Sequence, residues 1–395
     1  MTNVGFYGSS ILNPEWWKPI IQDYLNNMLI ALDICNTKCE AYLSSGRVVH
    51  FPQVSDVRVQ TYTPGTDLTM DALTATDSTL TVDQSKAATF TVDPVEVKQA
   101  LAPWAAQVAY QSAFQLRNNI DQQVIGSGVT NASTSTTAGT LNTGNILSLL
   151  NDRRAQLFRN NATDDALFAV IDSDRLALLT QAFVANGFNE ADAHLRRQFV
   201  GEASGFQVYV TNNLPGAVQL AMPTIPVAGT AFTMFGITFN WVAAGAATLA
   251  GDISIGANIA ASKANFLLMV AGTVTGTAAT YIDLAKEDRR KLQNAQLAAS
   301  AWGATATDTV DLTFYGKMAP TGNGVPVADF IFGTETSSLL FGRMGAISLA
   351  IQMQPELYVR PESKQLTDNY ITHVLFGKGV FTRDTKRLTK AVINA

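Results

Sequence analysis

The stretch from Val57 to Val124 constrains this chain most, because a long polar excursion runs straight into one long, proline-started amphipathic helix. Val57, Val59 and Thr61 alternate with Arg58, Gln60 and Tyr62, a period of two that predicts a strand, before a turn-rich segment holding Pro64 and Gly65. A second alternating segment, Leu80 to Val92, returns through Thr, Asp and Ala, with too few large apolar side chains to hold a two-stranded ribbon alone. Such an arm is expected to find its partner surface elsewhere. Asp93 and Pro94 then give an N-cap and a first-turn proline. After Pro103, Trp104, Val108, Ala109, Leu116, Ile120 and Val124 mark one continuous apolar helix face.

The 395 residues are 47% apolar with a mean hydropathy of +0.10, enough for two or more well-filled cores. No run approaches the ~18 continuous apolar residues of a membrane span, so no membrane partner is expected. Met1 to Ser10 lacks the basic start and apolar centre of a secretion signal, which predicts folding in a cytoplasm. Asn131 and Asn161, though in glycosylation sequons, then read as ordinary loop residues. Only 15% of residues are charged and the net charge is -5, which argues against a dedicated nucleic-acid reader. Cys35 and Cys39 lie four apart in an expected helix, where a disulfide is strained, so both read as structural thiols. His50, His194 and His373 are scattered without ligand spacing, so no metal is expected.

Along the chain, Pro14 starts an expected helix reaching Gly46, and Arg47 to Pro52 resumes extended structure. Gly126 to Gly144, rich in Ser, Thr, Gly and Asn, reads as a link. An α/β unit follows: a helix at Asn145–Arg159, a buried strand at Leu167–Ile171, a helix at Ser173–Val184 and a strand at Gln207–Val210. From Gly216 to about Asp329 the composition shifts to Ala, Thr and Gly, as for an inserted α+β module. It holds a hairpin turning at Phe235-Gly236, a strand at Asp252–Ile255, a helix capped by Ser262, a charged helix from Asp283 to about Ala299, and a strand around Val310–Phe314. A helix at Ser337–Ile347 and strands at Met353–Arg360 and Asn369–Gly377 are expected to close the chain.

Catalytic motifs are missing. Gly126-Ser-Gly128 follows a helix and lacks the third glycine and downstream acid of a dinucleotide loop, and Asp172 with Asp174 reads as an N-cap pair. With no nucleophile elbow, phosphate loop or zinc-protease motif, neither an enzyme nor a cofactor is expected.

The order of parts resembles the major capsid proteins of tailed phages with the Hong Kong 97 fold. The likeness rests on Gly46-Arg-Val-Val before a proline, Leu80 to Phe90, the helix ending in Asn119–Ile125, and Gly201–Phe206 leading into Gln207–Pro215. It implies an α+β capsid fold: an N-terminal arm at 1–52, an E-loop at 53–92 and a peripheral domain with a long spine helix at 93–144 and 356–395. It further implies an axial domain at 145–215 and 331–355 and an insertion domain at 216–330. The implied function is self-assembly into an icosahedral head shell enclosing double-stranded DNA, in the virion, after assembly in the host cytoplasm. The implied partners are the chain itself, in hexamers and pentamers, with scaffolding, portal and decoration proteins and non-specific contact with packaged DNA. A tail-tube or decoration protein and an encapsulin-like compartment shell are the alternatives.

Within that resemblance, Trp16 and Trp17 are candidate subunit contacts. Between Gln60 and Ala100 six acidic residues, among them Asp67, Asp71, Asp77 and Asp83, face two basic ones, of which Lys86 is one. From Val359 onward the balance reverses, with Arg360, Lys364, Arg383, Lys386 and Arg387 among seven basic residues against three acidic. Opposite signs of this kind can set the register of one subunit's arm on the next.

Overall fold

The structure, a computed structural model, describes residues 30–43, 46–54, 57–70, 72, 74–92, 104–162, 166–185, 201–272, 276–303, 305, 307–322, 330–361 and 368–394. The strands in chain order are β1 (Cys35–Asn36), β2 (Val48–Val54), β3 (Ala75–Val92), β4 (Thr134–Gly139), β5 (Leu167–Ile171), β6 (Glu202–Ala203), β7 (Phe206–Val210), β8 (Pro215–Ala221), β9 (Ala231–Met234) and β10 (Ile237–Val242). They continue as β11 (Asp252–Ser254), β12 (Ala298–Ala299), β13 (Thr309–Tyr315), β14 (Thr321–Gly322), β15 (Ile331–Phe332), β16 (Thr336–Arg343), β17 (Ile347–Pro361), β18 (Asp368–Gly379) and β19 (Leu388–Asn394). The helices are α1 (Ala31–Ile34), α2 (Trp104–Asn131), α3 (Ile146–Arg159), α4 (Ser173–Ala185), α5 (Ile259–Ala271) and α6 (Lys286–Asn294). Contacts divide the chain into two units, Met1–Ile120 with Gly345–Thr382, and Asp121–Met344 with Arg383–Ala395. The fold is mixed α+β.

The first unit carries one five-stranded sheet in the order β1-β17-β18-β3-β2. Its long axis is the antiparallel pair β17 and β18, in register from Ser348↔Gly379 to Pro361↔Asp368 with two irregularities. The 18 residues of β3 extend about 60 Å at ~3.3 Å per residue. That strand serves two partners: Val82 to Val92 pairs with β18, and Ala75 to Thr81 with β2.

Three expectations for this unit change. No residue from 57 to 70 belongs to a strand; the strand opposite β3 is β2, upstream of the alternating segment. The returning strand is also not free, since its second half is laddered to β18 of its own chain. The helix expected to reach Gly46 ends, among the described residues, at Ile34, because Asn36 Oδ1 accepts the amide of Lys38 at 3.1 Å and turns the backbone into a 3-10 segment at Lys38–Tyr42. Cys35 therefore lies on β1 and Cys39 in that turn, both as free thiols, with burial pushing the Cys39 thiol up. The part of that helix before residue 30, and His194, lie outside the described residues.

The second unit is built on a ten-stranded sheet whose main path is β12-β13-β8-β16-β5-β7-β6, with β15 beside β8, β19 beside β16 and β4 beside β19. The helix expected at Ser337–Ile347 is strand β16, bonded to β5, β8 and β19. Leu339, Leu340 and Phe341 are buried consecutively, so no alternation betrays the strand, and such a run cannot be told from a helix by period alone. Helix α2 continues through the expected link to Asn131, because Val124, Ile125 and Val129 are buried and packing overrides the poor helix propensity of Gly126 and Gly128. Leu116, Ile120 and Val124 are buried as the apolar face predicts, whereas the side chains of Trp104, Val108 and Ala109 lie outside the described set. The rest of the link holds β4, parallel to β19. Helices α3 and α4 and strands β5 and β7 stand where expected.

Residues beyond Gly216 do not begin a separate sheet. Strand β8 carries them into the ten-stranded sheet and pairs with β13 along seven residues, from Pro215↔Tyr315 to Ala221↔Thr309. Among the described residues, β11-β10-β9-β14 form a second, four-stranded sheet. Val218, Leu220, Val310, Leu312 and Phe314 from the larger sheet share one core with Phe232, Phe239, Trp241 and Ile253 from the smaller, along with Phe266 of α5. The expected hairpin is present: Phe235 and Gly236 both take positive φ, 54° and 73°, as a type I′ turn requires, and Phe235 packs edge-on against Phe314 at 5.6 Å. Helix α5 is capped by Asn258, whose side chain accepts the Ala261 amide at 2.8 Å; the expected cap, Ser262, is buried inside the helix. The charged helix is shorter than expected, ending at Asn294, because Ala298–Ala299 pairs with β13. A buried Lys263 orders the loop after β12: its ammonium donates to the carbonyls of Gly303, Thr305 and Asp308 at 3.1, 2.8 and 3.2 Å and lies 4.8 Å from the centre of the Trp302 ring.

Gly216 is a point of close approach in this core. A Cβ there meets Phe314 carbons at 2.6 and 2.9 Å and the Thr336 carbonyl at 3.1 Å. Gly216→Val is therefore expected to lower the stability of the second unit by about 2–3 kcal/mol through overpacking, read from urea denaturation. Wild-type stability in that variant contradicts this packing.

Candidate assembly interface

The sequence feature that opened the reading becomes a ribbon with a tip. Strands β2 and β3 pair antiparallel from Val48↔Thr81 to Val54↔Ala75, and the chain between them runs out and back. Two strands alone are marginal in water, so the root decides whether the ribbon stands. Leu80 and Val82 of β3, Val49 of β2, Cys39, Leu43 and Ala350 form a buried cluster there, flanked by Phe51, Leu375 and Phe381. The rings of Phe51 and Phe381 lie 4.9 Å apart. Arg47 fixes the register by holding Val82 at both ends: its carbonyl accepts the Val82 amide at 2.8 Å and its Nε donates to the Val82 carbonyl at 3.2 Å. Alternation explains the inward face, since Leu80 and Val82 point to one side of β3 while Thr79 and Thr81 point to the other.

Polar side chains clip β3 to both neighbours. His50 on β2 contacts Asp77 at 2.5 Å, Ser85 meets His373 of β18 at 2.9 Å, and Thr91 donates to Asn369 at 3.1 Å. The sequence reading missed these pairs. Their only trace was a polar residue at every second position of a strand, which does not reveal the partner strand.

The tip closes on a turn. Pro64 and Gly65 occupy its centre, Gly65 takes φ of 87°, and the Thr66 amide donates to the Thr63 carbonyl at 3.1 Å, the pattern of a type II turn. Behind it, the Gln60 carboxamide donates to the Thr69 carbonyl at 2.6 Å and accepts the Thr69 amide at 3.3 Å. The apolar side chains of the tip are exposed: Val57 is 71% exposed, Val59 96% and Met70 89%.

The predicted contact residues fall into three groups. Trp16, Trp17, Asp71 and Lys364 lie outside the described residues, and Arg360 is described only as backbone of β17. Asp67 is exposed on the tip and Asp77 is exposed on the ribbon, whereas Asp83 and Lys86 lie on the part of β3 laddered to β18. There they sit beside Lys378, whose ammonium is held below its usual range by burial, with Asp83 opposing that shift and Lys86 adding to it. Some of the charge balance between the acidic and basic stretches is thus met inside one chain. Arg383, Lys386 and Arg387 belong to the second unit, around a 3-10 turn before β19; Arg383 and Lys386 are exposed, and Arg387 pairs with Asp384 at 2.8 Å. Burial pushes the Asp384 carboxyl up, with the neighbouring arginines pulling against it.

Among the described residues, no group of three or more His, Cys, Asp or Glu side chains is placed to hold a metal, and no helix is long and apolar enough to cross a membrane. The geometry offers a supported projection whose tip carries exposed side chains.

Leu80→Ala is expected to cost about 2–5 kcal/mol, since it empties the cluster under the ribbon. Amide exchange of β2 should then accelerate more than that of β17. Unchanged exchange in β2 contradicts the role given to this root.

No family model matches the sequence, and no curated protein does. Solved structures match along nearly all of it. A chain from a structure of Mycobacterium phage Che8 is similar with a TM-score of 0.57 at 15% identity, over 96% of each chain. A chain from the capsid structure of Cyanophage P-SCSP1u is similar at 0.51 and 13% identity, over 89% of this chain and 85% of that one. For Gordonia phage Cozz the values are 0.50 and 11%, over 96% and 90%. The chain therefore has the mixed α+β fold found in phage capsid structures.

Proposed function

We propose that the chain is a major capsid protein with a Hong Kong 97-like fold, assembling with itself into a closed shell around the double-stranded DNA of a tailed phage. The observation that carries the reading is the ribbon of β2 and β3, rooted in its own sheet and ending in an uncovered apolar tip, on a fold shared with phage capsid chains. A monomer gains nothing from exposing such a tip, whereas a shell repeats each weak contact at every subunit.

In this reading residues 53–92 act as the E-loop. The spine helix with 356–382 supplies the peripheral domain, 145–215 with 331–355 and 383–395 the axial domain, and 216–330 an elaboration of the axial sheet. The shared sheet of β8, β13 and β16 supports elaboration over a freely tethered module. The grouping of Arg383–Ala395 with the second unit supports moving β19 to the axial side. Asp67 and Asp77, with Arg383 and Lys386, are the proposed charged contacts between copies, worth only ~0–1 kcal/mol each and so suited to reversible assembly. Scaffolding, portal and decoration proteins are proposed partners, as is non-specific phosphate contact through the basic residues.

Negative-stain microscopy of the chain expressed alone is expected to show closed polyhedra; open tubes or persistent monomers contradict the reading. Raising the salt to about 0.5 M, which shortens the screening length to about 4 Å, is expected to slow assembly of purified subunits. An unchanged rate removes charge guidance and leaves the shell reading in place.

A further inference from the structure

We infer that the end of α2 is a conditional helix, latched by the segment from α6 to β13: Tyr315 seats in a notch that glycine leaves at position 126, and Gln296 clasps Gln122 and Gln123. The two parts form and open together. This goes beyond the shell reading and does not rest on it.

Left to itself, the end of α2 is a poor helix. Ile125 to Asn131 carries two glycines and three β-branched residues, with no alanine or leucine among them. The segment is helical all the same, so contacts from outside the helix supply the difference. Val124, Ile125 and Val129 anchor one face in the core. Across the notch, a Cβ at Gly126 would stand 2.0 Å from the Tyr315 hydroxyl oxygen, 3.1 Å from Cζ and 3.4 Å from Cε1. Any side chain there displaces the ring. Tyr315 is itself held, since its amide donates to the Ala295 carbonyl at 2.8 Å and it pairs with Pro215 in the ladder of β8 and β13. Burial pushes the Tyr315 hydroxyl above its usual range, as expected of an enclosed phenol.

One turn earlier, a chain of amides closes over the same surface of α2. The buried Gln122 donates from Nε2 to the Asn294 carbonyl at 3.1 Å and to Asn213 Oδ1 at 3.5 Å, and its Oε1 accepts from Gln296 Nε2 at 2.7 Å. Gln123 Nε2 donates to Gln296 Oε1. Gln296 makes both bonds from a backbone φ of 48°, in the left-handed region that residues with a Cβ seldom take. Such a conformation persists where the surroundings hold it, and here the surroundings are α2. Gln122 and Gly126 are four apart and so stand one above the other on the helix. All of these residues belong to the second unit, and the latch works within it.

Amide hydrogen exchange on the free chain tests the latch, and the sign of one substitution decides it. On an open helix surface Gly→Ala adds helix propensity and slows opening; in an occupied notch it does the reverse. Gly126→Ala is expected to accelerate exchange at Gly128–Asn131 and at Ala295, Gln296 and Tyr315 together, by about tenfold or more, with β5 unchanged. Adding Tyr315→Phe removes the clashing oxygen and leaves the nearest ring atom at 3.1 Å. The double variant is therefore expected to exchange within about threefold of Tyr315→Phe alone. Gln296→Ala alters no residue of α2 and is expected to accelerate the same two segments, which keeps the test open should Gly126→Ala fail to fold. Slower or unchanged exchange in Gly126→Ala, acceleration that Tyr315→Phe does not relieve, or a Gln296→Ala chain with unchanged exchange in α2 overturns the inference.

Discussion

One strand, β3, sets the terms for the rest of the first unit. A strand can bond to two neighbours along its whole length, but β3 divides its length between them, β18 along one half and β2 along the other. The half against β18 lies in a sheet of long strands; the half against β2 is a ribbon that leaves it. Where the two halves meet, Leu80 and Val82 point into the same small cluster, so the handover is also where the apolar side chains are spent. Without that cluster the ribbon is an isolated pair of strands, which water does not favour. With it, residues as far out as Ala75 stay in register.

The second unit solves a different problem with the same means. Its central strand β16 is bonded to β19 along one edge and to β5 and β8 in turn along the other, and Leu339, Leu340 and Phe341 are buried in succession. Around it the chain adds β8 and β13, and beyond them a small sheet whose aromatic residues share the larger sheet's core. Added residues anchored by strand pairing as well as by packing inherit the rigidity of the parent sheet. The buried ammonium of Lys263, with three carbonyls and an indole face around it, shows how far the elaboration has become a core in its own right.

The legibility of the sequence follows the physics. Segments whose burial has a clear period or a clear bound were readable: α3, β5, α4, β10 and β13, and the apolar face of α2 at Leu116, Ile120 and Val124. Segments governed by distant partners were not. The run Ser337–Phe341 looks like either element until β5, β8 and β19 are beside it. Val57–Tyr62 has the alternating pattern of a strand but is not one, and the chain turns at Pro64–Gly65 just beyond it. The helix predicted through Gly46 stops because one asparagine side chain competes for a backbone amide, an event a periodicity count ignores. At the interface, exposed Asp67 and Asp77 were legible as acids; the placement of Asp83 and Lys86 near the buried Lys378 depended on the ladder and was not.

The central claim is a division of labour: the root of the ribbon folds on its own chain, and its exposed tip is proposed to contact a neighbouring copy. A near-atomic cryo-EM map of particles formed by the purified chain tests it most directly. The account predicts a closed lattice in which the Leu80 cluster is intact within each subunit and the segment around the Pro64–Gly65 turn lies against a neighbouring subunit. A lattice in which that segment lies back on its own subunit, with Val59 covered by its own chain, contradicts it.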